Sequence, residues 1–234
     1  MPELPEPSGA VIYHPFAVHG MPPSTVAVLP APDAAAQRKR PRPGERRLQI
    51  LQTLATMLQE PGADRVTTAA LAARLDVSEA ALYRHFASKA QMFEALIEFI
   101  ESSVFSLINQ ITERDGQHAA QARRIVLVLL QFGETNPGMV RVMVGDALVF
   151  EHERLMQRMN QFFDRVEGQL RQCLRLPGDA AGVAVEGSAP SVNAQTLASG
   201  LTALVVGRLQ RFARSGFRRS PTEHLDSLLA HWLP

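Results

Sequence analysis

The stretch at 66–86, VTTAALAARLDVSEAALYRHF, followed by Ala87, Ser88 and Lys89, reads as two short helices around a three-residue turn. The second helix carries Tyr83, Arg84 and His85 outward between two apolar residues, Leu82 and Phe86. This is the layout of a helix-turn-helix, whose second helix enters the DNA major groove. Leu71, Leu75, Val77 and Leu82 fall at inward positions, and Ala72 is small where the two helices must meet closely. Thr67 or Thr68 is expected to cap the first helix and Ser78 the second, because a side-chain oxygen there satisfies an orphan backbone N–H. Glu79 then sits in the positive first turn. Asp76 occupies the turn position that needs a left-handed backbone, usually a glycine's place, which aspartate adopts at some cost. A helical hairpin packed on its own core accounts for the apolar positions. It leaves the exposed Tyr-Arg-His run unexplained.

Working outward, charge is unevenly distributed. Residues 1–37 hold no Lys or Arg, three acids and eight of the 16 prolines, the composition of a disordered leader with no packed core. The block 38–47, RKRPRPGERR, then places six basic residues and one acid immediately before the first helix. Beside a helix-turn-helix it reads as an arm that contacts phosphates, with Arg40 and Arg46 as its representatives. The net charge of +1 advertises no nucleic-acid binding by itself. No apolar run approaches the roughly 20 residues that span a bilayer. The N-terminus lacks the basic start and apolar centre of a secretory signal. The single cysteine, Cys173, allows no intramolecular disulfide, which fits a reducing cytoplasm, and it reads as a packing residue.

From residue 45 onward nearly everything has helical period and nothing reads clearly as strand, so the fold class is all-α. The pattern predicts helices at about 45–59, the two of the motif, about 88–112, 119–133, a short one from Asn136-Pro137, 145–175, 192–215, and a short terminal one after Pro221. Residues 177–191, rich in Gly, Ala and Ser, read as a flexible loop. Three parts follow: a Pro-rich leader and basic arm at 1–43, a DNA-binding domain at 44–90, and a helical domain at 91–234, to which the resemblance given below assigns dimerisation and partner binding. On the fourth helix Phe93, Ile97, Ile100, Val104, Ile108 and Ile111 form one apolar stripe. Met92, Leu96, Phe99 and Ser103 form a second, displaced stripe. No nucleophile–base pair, phosphate loop or metal-ligand cluster emerges, so neither an enzyme, a cofactor nor a metal is expected.

Leu82-Tyr83-Arg84-His85-Phe86 with Lys89, preceded by a first helix and running into a long fourth, resembles the TetR family. Within it, VSEAALYRHFASK (77–89), MFEALIEFIE (92–101), FGETNPG (132–138) and QLRQ (169–172) resemble the nucleoid occlusion factors. The likeness covers about 46–175 closely and 192–232 more loosely, and excludes the leader. It implies a TetR-like architecture: a three-helix DNA-binding domain joined by the long fourth helix to a C-terminal dimerisation domain. It further implies a homodimer on palindromic double-stranded DNA that binds the C-terminal tail of FtsZ, inhibits cell division and resides on the nucleoid in the cytoplasm.

Roles follow for individual residues. Tyr83, Lys89, Thr67 and Thr68 suit phosphates, and Ser78 caps the reading helix. Arg84 and His85 project toward bases, with Ala80 and Ala81 small enough to let the helix approach. Ala70 stands where related proteins often carry a basic residue, a contact the arginine arm is expected to replace. The resemblance places Phe99 on the FtsZ-binding surface, with Val128, Gln131 and Thr135 on the opposite wall; here Gln131 stands for a glycine and Thr135 for an arginine. Phe162, Val166, Leu201, Leu204 and Val205 are the expected dimer interface. Two rivals remain: a TetR-type repressor released by a small-molecule inducer, which needs an interior cavity with placed polar groups, and an architectural DNA-binding protein without a partner.

Overall fold

The structure is a computed structural model that describes residues 44–60, 65–113, 118–175 and 194–233. The leader, Arg40 and the loop at 177–191 lie outside the described residues. Among those described, the chain forms α1 (Glu45–Gln59), α2 (Thr68–Arg74), α3 (Glu79–Tyr83), α4 (Lys89–Thr112), α5 (His118–Thr135), α6 (Pro137–Met143), α7 (Glu153–Leu174), α8 (Ala194–Arg214) and α9 (Leu225–Trp232). No described helix is long and apolar enough to cross a membrane.

Local chemistry sets most of these limits. Ser88 accepts the Gln91 N–H at 3.2 Å and so fixes the start of α4. Pro137 opens α6 at a position whose N–H would be unsatisfied anyway. One expected element divides. The pattern at 145–175 predicts a single helix, but Gly145 turns left-handed at φ 85° and leaves only a 3₁₀ turn, Asp146–Leu148. The helix restarts when the His152 ring accepts the Arg154 N–H at 3.3 Å.

α4, at 24 residues, leaves the group formed by α1–α3, and α5 packs back along it. The stripe Phe93, Ile97, Ile100, Val104, Ile108 and Ile111 is buried throughout, as its spacing predicts. The second stripe is not free as a whole. Met92 and Leu96 are fully buried, because α1, α5, α6 and α7 all pack on α4, and only Phe99 and Ser103 stay partly exposed. The domains lock together where α6 docks on α1. A Cβ added at Gly138 would lie 2.1 Å from the Ala55 carbonyl oxygen, so the backbones approach as closely as they can.

α7 and α8 pair closely, with Gln195 at the start of α8 bonding Glu167 at 2.6 Å and Arg171 at 2.8 Å near the end of α7. This contact consumes the expected dimer interface. Phe162, Val166, Leu201 and Val205 have no exposed surface in the single protomer. They build its own core, and only Leu204 of that set is half-exposed. Cys173 is buried in the same layer, and burial pushes its thiol pKa up, keeping it a neutral packing group. The Arg123 guanidinium donates to the Leu233 carbonyl at 2.8 Å and ties the last residues to α5.

Candidate nucleic-acid interface

The two motif helices are held by the capping that their sequence prescribes. Thr67 accepts the Ala70 N–H at 3.1 Å and Ser78 the Ala81 N–H at 3.3 Å. Asp76 is left-handed at φ 54°, and the bonds from Val77 N–H to the Ala72 carbonyl and Asp76 N–H to the Ala73 carbonyl close α2 around it. Leu71, Ala72, Leu82 and Phe86 are buried, while Leu75 and Val77 are half-buried against the same core. Thr68 does not cap. Its hydroxyl donates to Glu79 at 2.6 Å and ties the two helices together, so a carboxylate occupies the group expected to meet a phosphate.

With these anchors, Tyr83, Arg84 and His85 stand on one exposed edge, Tyr83 at 46% exposure. Ala80 is exposed and Ala81 half-exposed, leaving the edge low. Arg84 and His85 follow the last residue of α3, where the final carbonyls of a helix need partners from outside it. Arg47 of α1 resolves this. Its guanidinium donates to the His85 carbonyl at 2.9 Å and lies 4.1 Å over the Phe86 ring. Arg47 therefore leaves the arm to which its place in the basic block assigned it and braces the reading edge. Arg46 is half-buried and bonds Gln49 at 2.9 Å on its own helix.

The two arginines should separate in a binding assay. Arg84→Ala is expected to cost roughly 10- to 100-fold on a selected duplex and nothing on a scrambled one. Arg47→Ala should also erode that ratio, yet leave the slope of log affinity against log salt unchanged, since it holds protein rather than phosphate. Competition with cognate and scrambled duplexes across a salt series measures both; equal losses on the two duplexes for Arg84→Ala would remove it from base reading.

Lys89, the first residue of α4, is ion-paired with Glu151 and lies 5.6 Å over the Phe93 ring. Two further pairs continue down the α4–α7 seam, Glu94 with Arg154 at 2.8 Å and Glu101 with Arg158 at 2.5 Å. The Glu101 hydrogen bond holds the Arg158 pKa above its ordinary value. Farther up α4, Phe99 is half-buried with its ring 6.2 Å from that of Phe132. Across from it Gln131 is half-buried and Thr135 exposed, its hydroxyl turned back to the Gln131 carbonyl. Val128 is buried in the core and offers no wall.

An open concavity of ≈ 500 Å³ lies at the turn after α8, lined by the polar residues Ser215, Arg218, Arg219, Ser220 and Glu223. It lacks the enclosed apolar lining that a small-molecule inducer requires.

The sequence reading missed three features. Arg47 was hidden by its basic neighbours. Glu151 carries no local signal, since its partner is 62 residues away. Gly200 and Gly207 did carry one: they sit inside α8, where glycine weakens a helix, and nothing lies within 4 Å of a Cβ added at either.

Residues 50–96 match the bacterial regulatory proteins of the tetR family, and residues 117–232 match the SlmA-like tetracyclin repressor-like C-terminal domain. The chain is 50% identical over 183 residues to the nucleoid occlusion factor SlmA of Escherichia fergusonii, covering 78% of this chain and 90% of that one. It is 49% identical over the same coverage to SlmA of Citrobacter koseri. Among solved structures, the MbdR regulator of Azoarcus sp. CIB shares the fold with a TM-score of 0.62 at 20% identity, covering 79% of this chain and 95% of that one. A FadR regulator of Bacillus subtilis does so at 0.58 and 14%, covering 80% and 97%. With the exposed reading edge on a capped helix-turn-helix, these likenesses place the chain in the TetR family of DNA-binding regulators, among its SlmA-type nucleoid occlusion factors.

Proposed function

We propose that the chain works as a DNA-bound homodimer that inhibits cell division, binding the C-terminal tail of FtsZ and disrupting FtsZ polymers over the chromosome. The observation that carries this reading is that the likeness to SlmA spans 183 residues, reaching beyond the motif through the helices that would meet a partner. Tyr83, Arg84, His85 and Lys89 face DNA in this account, with Thr67 and Ser78 fixing the helices that present them. The arm around Arg40 and Arg46 adds sequence-independent affinity. Binding to chromosomal sites would hold the protein on the nucleoid.

The effector surface is Phe99 with Gln131 and Thr135, whose exposed edges leave an apolar ring open beside polar groups. Val128 supports this surface from beneath. With threonine at 135, recognition rests more on the Phe99 ring than on a salt bridge. Phe99→Ala is therefore expected to weaken binding of an FtsZ C-terminal peptide by roughly 10-fold or more, in line with loss of a central aromatic anchor. Calorimetric titration measures it, and undiminished binding would reject this surface.

The dimer forms through the outer face of α8. Thr196, Gly200, Ala203 and Gly207 recur there with half-exposed Leu204, opposite the side buried on the rest of the protomer. Small side chains let two helix axes approach closely, and among the described residues nothing lies within 4 Å of a Cβ added at Gly200 or Gly207. Two-fold pairing of this face would set the two reading edges on half-sites about one helical turn apart.

A further inference from the structure

Glu151 is ion-paired with Lys89, the cation at the start of α4 that the proposed function reads as a phosphate contact. Lys89 begins α4 three residues after Phe86 closes the reading segment, and its ammonium is held by the Glu151 carboxylate. Both side chains are largely covered, Lys89 at 22% exposure and Glu151 at 10%. Glu151 comes from the short turn between the 3₁₀ segment and α7, and that turn is fastened from both sides. Below it, Arg154–Glu94 and Arg158–Glu101 fix the first turns of α7 to α4. Above it, the Arg65 guanidinium, just ahead of α2, lies 5.8 Å over the ring of Phe150, which is otherwise 67% exposed. The turn thus spans from the motif helices to the first turn of α7, with the Lys89–Glu151 pair fastening it between the two.

We propose that Glu151 belongs to the DNA site: in the free protein its carboxylate occupies Lys89, and a phosphate of bound DNA must displace it. The inference rests on the reading of Lys89 as a phosphate contact. A carboxylate and a phosphate are alternative anions for one ammonium, and both cannot sit on it without like-charge repulsion in a poorly solvated place. Once displaced, a carboxylate at 10% exposure must be rehydrated, which requires its turn to move away from α4. DNA affinity and the position of this turn are then coupled, and the coupling is reciprocal: whatever holds Glu151 on Lys89 weakens DNA binding, and DNA loosens the start of α7.

The test is a double-mutant cycle on the full chain, with fluorescence anisotropy against a duplex selected from a random pool by the wild-type protein. Glu151→Gln is expected to tighten binding about three- to tenfold, since the pair no longer competes. Lys89→Met should weaken binding, and adding Glu151→Gln to Lys89→Met should change nothing further. Equal tightening by Glu151→Gln with and without Lys89 would overturn the proposal, making Glu151 only a distant negative charge. Wild-type affinity for Lys89→Met would overturn it by the other route, because Lys89 would then meet no phosphate. Glu151→Asp keeps the charge on a shorter arm and stands in should the glutamine variant fold poorly; tighter binding than wild type that disappears in the Lys89→Met background supports the competition, and a wild-type affinity contradicts it.

Discussion

Replacing Gly138 by alanine is expected to destabilise the protein by about 3 kcal/mol, a fall in melting temperature of roughly 6–12 °C for a chain of this size. The cause is a single added carbon. Its position would fall 2.1 Å from the Ala55 carbonyl oxygen and 2.9 Å from the carbonyl carbon, both backbone atoms of α1. A flexible side chain could swing away, but here α6 or α1 must move as a unit. Gly133 makes the contrast. An added Cβ there meets the end of Leu209 at 2.4 Å, a side chain that can change rotamer, so Gly133→Ala should cost less. Because α1 lies largely in the tetR-family match and α6 in the C-terminal one, Gly138→Ala should also loosen the link between them. Thermal melts followed by circular dichroism measure the stability; an unchanged midpoint would mean that the α1–α6 contact is not tight in solution.

Gly207→Arg is expected to convert a dimer into a well-folded monomer. Among the described residues nothing lies within 4 Å of a Cβ at 207, and arginine is the better helix former by about 1 kcal/mol, so the fold of each chain should be kept or improved. Across a two-fold axis through α8 the same arginine meets its own copy, which adds bulk and like charge where the helices must approach closely. Losing the second half-site should cost roughly 100-fold or more in affinity for a palindromic duplex. Sedimentation equilibrium and a binding isotherm read the two effects together. A variant that stays dimeric would move the interface off α8. Phe162→Ala cannot make this distinction, because that ring is buried in the protomer and its loss damages the fold first.

Much of this was legible in the sequence, for reasons that differ between elements. The helix-turn-helix could be read because its caps, Thr67 and Ser78, and its left-handed turn at Asp76 are local features, decided within a few residues. The all-α fold followed from periodicity alone. What periodicity cannot supply is which apolar face meets the same chain and which meets another. Phe162, Val166, Leu201 and Val205 have the spacing of an interface, and that spacing serves intramolecular α7–α8 packing equally well. Met92 and Leu96 repeat the lesson on α4. The more useful signal was negative: Gly200 and Gly207 weaken α8, and among the described residues nothing packs where their side chains would be. Charge proved equally ambiguous in one dimension. Arg46 and Arg47 share a basic block, yet Arg47 spends its guanidinium on the His85 carbonyl and the Phe86 ring, and Lys89 meets a carboxylate 62 residues away.

In the proposed function, occupancy of a DNA site turns this chain into an inhibitor of FtsZ assembly. Pelleting of assembled FtsZ tests it directly, with the chain added alone, with its selected duplex, and with a scrambled duplex. The account predicts that pelletable FtsZ falls only when the selected duplex is present, and that the fall disappears with Phe99→Ala. FtsZ that pellets undiminished beside the chain on its selected duplex would contradict it.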